Sequence, residues 1–525
     1  MSNAVGKSTN KSGTRLILTS DPYPPPALGS SPIQQAAVQS FLGNDAKAIA
    51  CLEAASNNRS SPPILILLGK TQMKARKFME AVESFRKALI LLSPNETNLY
   101  NVSEAAEVFY LTGLCYMALA LLLQVYKGAV EDLTMALRID KTCSFAHYNR
   151  GVCYQQLKEY ELALRDYGIV LLLPSKKEID LKVLINRALL YVELSDHHNA
   201  LQDFKAASLR SPEDATIYHA LGVYHHRLGQ LQESVEAYSQ AMQISPFFLD
   251  AYVGRGNACM DYGHTHATKQ AQRDFLSALH LNPLCSNARI CLAYNFQVFG
   301  FFQRAWNQFT VAAEIDSKCW KAFEGRAVIN LQMGNTYAAF QDINMALKHH
   351  PVSDQLLTNR GVINQFMGDK ANAMKDYQRA ISLNPKYALA FFNAANLYFY
   401  NRQFEQACEH YSQAFELDPE DESAVLNRAI TRALLRKVPE ALQDFSEALR
   451  LNPYSSHVFF NRANLYSSLR QYRNAEKDLS QALLLQPNDA LVYKLRADVR
   501  GHLGLTDQAM QDYRTAVELQ EALEG

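Results

Sequence analysis

The chain has no excess of either charge. Lys plus Arg and Asp plus Glu number 52 each, and no basic block interrupts that balance. Without clustered cations there is no electrostatic footprint for a phosphate backbone, which argues against DNA or RNA as the main partner. Cysteine is sparse and unframed. The nine thiols (Cys51, Cys115, Cys143, Cys153, Cys259, Cys285, Cys291, Cys319 and Cys408) form no Cys-x-x-Cys pair. An odd, scattered set fits reduced thiols in a cytosolic compartment, with nucleus or cilium as alternatives, better than a disulfide scaffold. Residues 1–33 are rich in Ser, Pro, Gly and Asn, and their longest apolar run is Leu16-Ile17-Leu18. That is too short for a signal-peptide core, and the segment reads as disordered.

Catalytic signatures are missing as well. No phosphate-binding loop, nucleophile elbow, His-Glu-x-x-His or dinucleotide fingerprint occurs in the sequence. Gly254 and Gly256 sit inside a helical pattern, where close helix packing explains them. Cys259, His264 and His266 form a compact group of metal-ligand types, but no fourth ligand is suitably spaced. The expectation is a chain that is not an enzyme and uses no cofactor or metal. One stretch approaches the length of a bilayer span: Val108 to Tyr126 carries no charge. It also contains the landmarks Phe109, Gly113 and Tyr116 of the pattern described next. A buried helix lengthened by four inserted residues is therefore expected there, with a membrane tether as the alternative.

What the chain does have is a clock. Pro351, Pro385, Pro419, Pro453 and Pro487 recur every 34 residues, as do Pro212 and Pro246. Each follows a helical pattern that it cannot continue, because proline lacks the amide proton and its ring clashes with the preceding turn. In the unit starting at Ala388, position 4 is Phe391, 8 is Ala395, 11 is Tyr398, 20 is Ala407, 24 is Tyr411 and 27 is Ala414. Large residues at 4, 11 and 24 with small ones at 8, 20 and 27 describe two short amphipathic helices. They approach closely where side chains are small and interlock where they are large.

This register resembles the tetratricopeptide repeat family over residues 62–523, with units starting at 62, 106, 144, 181, 215, 249, 286, 320, 354, 388, 422, 456 and 490. The resemblance implies an all-α, right-handed superhelical solenoid of about thirteen helix-turn-helix units, the first helix of each lining a concave groove. The expected organisation is a disordered segment 1–33, a degenerate half-repeat 34–61, two divergent units over 62–143 and a regular array over 144–525.

A second pattern lies inside the units. Position 7 is Arg and position 23 is Asp in the same eight: Arg150 with Asp166, Arg187 with Asp203, Arg255 with Asp274, Arg326 with Asp342, Arg360 with Asp376, Arg428 with Asp444, Arg462 with Asp478 and Arg496 with Asp512. Antiparallel helices joined near positions 15 and 16 place 7 beside 23, so a charge-assisted bond across each helix pair is expected. A clamp on the helix-pair angle is the favoured reading over a charged ligand track.

Position 6 is Asn at Asn359, Asn393, Asn427 and Asn461, and earlier at Asn149 and Asn186. An amide both donates and accepts, so a row of them can bond the backbone of an extended peptide. The row resembles the asparagine ladder in the repeat domain of O-linked N-acetylglucosamine transferase. The alternative is an amide that stabilises the helix pair locally. Phe392 and Phe460 at position 5, Asn396 and Asn464 at 9, Phe399 at 12, and Phe366 and Tyr400 at 13 extend the candidate surface. A clamp for a chaperone's C-terminal carboxylate is not expected: Asn396 and Asn427 match it, but Phe392, Leu426, Phe460 and His457 stand where basic residues are required. The resulting expectation is a scaffold that binds an extended segment of another protein. The alternatives are a recognition arm of a multi-protein enzyme complex or an adaptor tethered through 108–126.

Overall fold

The computed structural model describes residues 32–92, 102–123, 126–174 and 177–524. The disordered segment expected over 1–33 lies almost entirely outside them. Among the described residues there are 28 α-helices and no strand. The chain divides into two compact bodies that meet in sequence between Asp274 and Phe275.

The helices come in antiparallel pairs that follow the 34-residue clock. In the Ala388 repeat they span Ala388–Tyr400 and Phe404–Leu417; in the Glu422 repeat, Glu422–Leu434 and Val438–Leu451. The small positions carry the close approach: Ala395, Ala407 and Ala414 are buried, and the ring of Tyr411 is buried beside them. In the regular repeats the first helix is followed by a residue in the left-handed region at position 15, such as Gly229, Gly334 and Gly368 (φ 72°, 80° and 84°). Arg402, Arg436 and Arg470 adopt the same conformation without being glycine. The geometry is dictated by the turn: the position-15 and position-16 amides cap the carbonyls of the helix just finished, as Gly229 N does to His226 O and Gln230 N to His225 O.

Within each body the first helices touch one another as well as their partners. The helix Ala388–Tyr400 packs against Asp354–Phe366, and Glu422–Leu434 against Ser456–Ser468; in the other body Ala215–Arg227 packs against Leu249–Asp261. No two second helices of neighbouring repeats pack as closely. First helices thus form the crowded inner layer and second helices the splayed outer one, the layering of a helical solenoid.

Two boundaries and one unit differ from the sequence reading. The helices Val102–Leu123 and Lys177–Glu193 begin four residues, one turn, ahead of positions 106 and 181. Where a half-repeat was expected, Pro32–Phe41 and Asp45–Asn58 form a pair of their own, the first helix short, with Ala48, Leu52 and Ala55 buried on the second. His266 lies on the helix Thr265–Leu281, which at 17 residues is three longer than the second helices of the repeats on either side.

Among the described residues no helix is long and apolar enough to cross a membrane. The uncharged stretch 108–126 is not one helix: the first ends at Leu123 and Tyr126 opens the next. The first also carries Glu104 and Glu107. Val108, Leu111, Leu114, Cys115 and Met117 are buried in the chain's own core with Leu133 and Ala136 of the following helix. That apolar face is occupied by the protein itself, which removes the basis for a tether.

This neighbourhood holds an acid without a clamp. Asp132 takes the aspartate's place in a unit that has Thr112 where eight others have arginine, and Thr112 Oγ1 donates to its own helix at Val108 O (2.7 Å). Burial pushes the Asp132 carboxyl up to about 6, against the opposing pull of Arg86. A folded-state pKa above the unfolded one means the fold holds the proton, so stability present near pH 4 is lost as pH rises through 6. Asp132→Asn should therefore stabilise the chain at pH 7 by about 1 kcal/mol after allowance for partial solvent access. The gain should vanish below about pH 4, as read from urea melts at the two pH values.

Candidate functional site

All eight Arg–Asp pairs are in contact, each two-pronged. Arg150 donates from Nε to Asp166 Oδ2 at 2.7 Å and from Nη2 to Oδ1 at 2.8 Å. Arg187–Asp203, Arg255–Asp274, Arg326–Asp342, Arg360–Asp376, Arg428–Asp444, Arg462–Asp478 and Arg496–Asp512 repeat this geometry at 2.6–3.0 Å. The aspartates are buried and the arginines mostly so; the Arg150 and Asp166 side chains are 11% and 1% exposed. The Arg150 guanidinium, with His147 Nδ1 at 3.0 Å, holds the Asp166 carboxyl below the usual range against the opposing effect of burial.

The arginines also reach across the seam between repeats. Nη1 donates to a hydroxyl or amide oxygen at position 25 of the preceding unit: Arg150 to Thr134, Arg255 to Ser239, Arg326 to Thr310, Arg360 to Asn344 and Arg496 to Ser480, at 2.9–3.3 Å. One side chain thus ties three helices. Position 11 supplies a further donor to the aspartate in some units, as Asn330 does to Asp342 (2.9 Å) and Arg432 Nη1 to Asp444 (2.7 Å). A guanidinium whose donors are so committed has little left for a ligand.

Position 6 also lies in the seam. Where it is glycine, the ring at position 24 of the preceding unit fills the space: a Cβ on Gly325 would stand 2.3 Å from Phe309, and one on Gly254 2.5 Å from Tyr238. Where it is asparagine, the amide donates to position 5 of the preceding unit if that residue offers an acceptor. Asn149 Nδ2 bonds Tyr110 Oη (3.3 Å), Asn186 bonds Tyr148 Oη (2.9 Å) and Asn359 bonds Glu324 Oε1 (3.0 Å). These three are seam ties.

For the other three, position 5 of the preceding unit is Thr358, Phe392 or Leu426. The Thr358 hydroxyl is turned to its own helix at Asp354 O, and Phe and Leu have nothing to accept with. Asn393 accordingly makes no side-chain hydrogen bond to any described residue. Asn427 Nδ2 reaches sideways to Asn396 Oδ1 (3.4 Å), which also accepts from Tyr411 Oη (2.6 Å). Asn461 Nδ2 turns back to His457 O of its own helix (2.8 Å). The row of four is chemically uneven, with Asn393 the open member.

The aromatic residues divide in the same way. Phe392 is half-buried with its ring edge-on to Tyr411 (5.9 Å), Phe399 is half-buried against Phe404 (5.6 Å), and Phe460 packs on the core around Ala463. Phe366 and Tyr400, at position 13, are 69% and 68% exposed. Leu434, at the same position of the next repeat and 52% exposed, continues their row and was not singled out in the sequence. Asn464 is exposed. An open depression of about 510 Å³ lies between the Glu422 and Ser456 repeats, lined by Leu426, Asn452, Tyr454 and His457.

Family models described as tetratricopeptide repeat match residues 185–247, 354–387, 392–456 and 456–489. The chain carries tetratricopeptide repeats. Tetratricopeptide repeat protein 6 of Homo sapiens is 50% identical over 329 residues, which is 63% of this chain and 63% of that protein. The BBSome complex member BBS4 of Bos taurus is 24% identical over 231 residues, 44% and 41% of the two chains. Among solved structures, the APC/C hetero-tetramer Cut9–Hcn1 aligns over 89% of each chain at 16% identity with a TM-score of 0.44. The chain spans less than two thirds of the length of the curated relatives it matches first.

Within this repeat framework the two asparagines that match a carboxylate clamp, Asn396 and Asn427, bond each other. Among the described residues no three or more His, Cys, Asp or Glu side chains group as a metal site. None of the nine cysteines forms a disulfide, and burial pushes Cys115 and Cys153 up to about 12, which keeps them protonated. The position-5 rule and the position-25 acceptors were both written in the sequence. They become visible only once the seam shows which residues of neighbouring repeats meet.

Proposed function

We propose that the chain is a non-catalytic scaffold that binds an extended segment of another protein along the first-helix layer of residues 354–489, in a cytoplasmic setting. The observation that carries this reading is the row at position 13, where Phe366, Tyr400 and Leu434 stand exposed in three consecutive repeats, with the open amide of Asn393 about two turns earlier on the Tyr400 helix. Large apolar side chains held out by a rigid helical layer cost stability nothing to remove, and a contiguous set of them marks a contact surface. Asn393 adds a donor and an acceptor suited to a peptide backbone. The Arg–Asp pairs and the seam asparagines Asn149, Asn186 and Asn359 hold the layer's curvature. A recognition arm of an enzyme complex drew on a uniform asparagine row; with Asn359 and Asn427 engaged inside the protein, the scaffold reading is the better supported.

The test is Phe366→Ala with Tyr400→Ala. Both side chains are exposed, so melting should be unchanged within about 0.5 kcal/mol. Partners recovered with the wild-type chain should be lost, and a synthetic peptide of the recovered segment should bind on the order of 30-fold more weakly, about 2 kcal/mol. Equal affinity for both chains would reject the surface.

A further inference from the structure

The first-helix layer of residues 354–468 is electrically silent. In the four repeats starting at Asp354, Ala388, Glu422 and Ser456, positions 2, 5, 6, 9, 12 and 13 contain no Asp, Glu, Lys or Arg, although charged residues make up 20% of the chain. The silence is bounded: Lys321 and Glu324 hold positions 2 and 5 of the repeat before it, and Lys494 and Asp498 hold positions 5 and 9 of the repeat after it. The helix Ala388–Tyr400 has no charged residue at all.

The arginines that these four helices do carry are turned inward. Arg360 donates to Asp376, Arg428 and Arg432 both donate to Asp444, and Arg462 donates to Asp478. The acids at the helix starts accept hydrogen bonds from neutral amides and keep their charge, Asp354 from Asn384 (2.6 Å) and Glu422 from Asn452 (2.7 Å). At these six positions the four helices offer no cation to receive a carboxylate or phosphate and no anion to receive an ammonium; one acid, Glu422, stands on the wall of the open depression, held by Asn452.

From this charge match we infer that the segment bound on the face is itself uncharged: an extended stretch of apolar and small polar side chains, about eight to twelve residues long if it spans four repeats at about 10 Å each. The inference rests on the binding surface proposed above and names its ligand chemistry. A charged side chain laid against Phe392, Leu426 and Phe460 would lose water without gaining a counter-ion, an uncompensated cost. A neutral segment loses only apolar hydration there, and its backbone can bond the amide of Asn393. Selectivity comes from rejecting charge, not from attracting it. Affinity for such a segment is accordingly almost independent of salt, whereas a phosphorylated or acidic ligand held by basic residues would be strongly screened.

The test pans a random twelve-residue peptide library on the full chain and titrates the selected peptides. Selected peptides should be depleted in Asp, Glu, Lys and Arg against the input. Their Kd should change less than about twofold between roughly 0.05 and 0.5 M sodium chloride. The isosteric Asn393→Asp, which places one charge on the face without changing its shape, should weaken them on the order of tenfold. Peptides that lose binding to the Phe366→Ala, Tyr400→Ala chain yet are rich in charge, or weaken steeply with salt, overturn the inference and leave the surface standing. Peptides indifferent to that double variant overturn the surface and the inference with it.

Discussion

Arg187→Met should destabilise the chain by about 3 kcal/mol, and adding Asp203→Leu should restore most of that loss. The Arg187–Asp203 pair, like Arg462–Asp478, is among the cleanest of the eight, because the described contacts give the aspartate no second cationic partner and the arginine no reach to the preceding repeat. Removing the guanidinium leaves a carboxylate that is 7% exposed with its charge unpaired, and the penalty is that stranded charge more than the loss of the bond itself. Replacing both partners leaves an apolar contact between two helices. Arg428→Met should be milder, since Arg432 Nη1 remains 2.7 Å from Asp444. Repeat arrays unfold unit by unit, so the informative readout is hydrogen exchange in Lys177–Glu193 and His197–Arg210 rather than a single midpoint. Equal losses in the single and double variants would mean that the pair is not coupled.

Tyr238→Ala should cost about 3–5 kcal/mol, and it should reverse the sign of a second substitution. The ring of Tyr238 is buried between Gly222 of its own repeat and Gly254 of the next, where added Cβ atoms would stand 2.7 and 2.5 Å away. In the natural chain Gly254→Ala must push the ring aside, at a cost of about 1–3 kcal/mol. Once the ring is gone, the same methyl enters a cavity and gains the helix preference of alanine over glycine, about 1 kcal/mol. A double-mutant cycle should therefore show strong coupling, with Gly254→Ala neutral or stabilising in the Tyr238→Ala background. Additive losses would place the ring elsewhere than between the two glycines.

Most of the fold was legible because the sequence repeats its packing rule in nearly every unit. Ala395, Ala407 and Ala414 are small since two helices must touch there, and Tyr411 is large since it fills the gap they leave. The Arg and Asp columns could be paired by position alone, for the antiparallel turn fixes which residues of one repeat face each other. Contacts between repeats were harder to read. Asn359 and Glu324 lie 35 residues apart, and only the seam geometry shows that position 6 meets position 5 of the unit before. The asparagine column therefore looked uniform while its members had different neighbours. The aromatic residues were ambiguous for a similar reason: Phe392 at position 5 can turn into the seam against Tyr411, whereas Tyr400, the last residue of its helix, meets Phe399 edge-on and stays exposed. The short helix Pro32–Phe41 escaped notice because it lacks the aromatic and glycine landmarks of later repeats.

The binding surface itself is most directly tested by photo-crosslinking. A benzophenone side chain is introduced at Tyr400, at Leu434, or at Leu484, which is 73% exposed on the outer helix Tyr472–Leu485. Each chain is irradiated with native extract, and the attached segments are sequenced by mass spectrometry. The account predicts that Tyr400 and Leu434 capture the same uncharged segment of one partner while Leu484 captures none of it. Capture of that segment from Leu484 alone, or equally from all three sites, would contradict it.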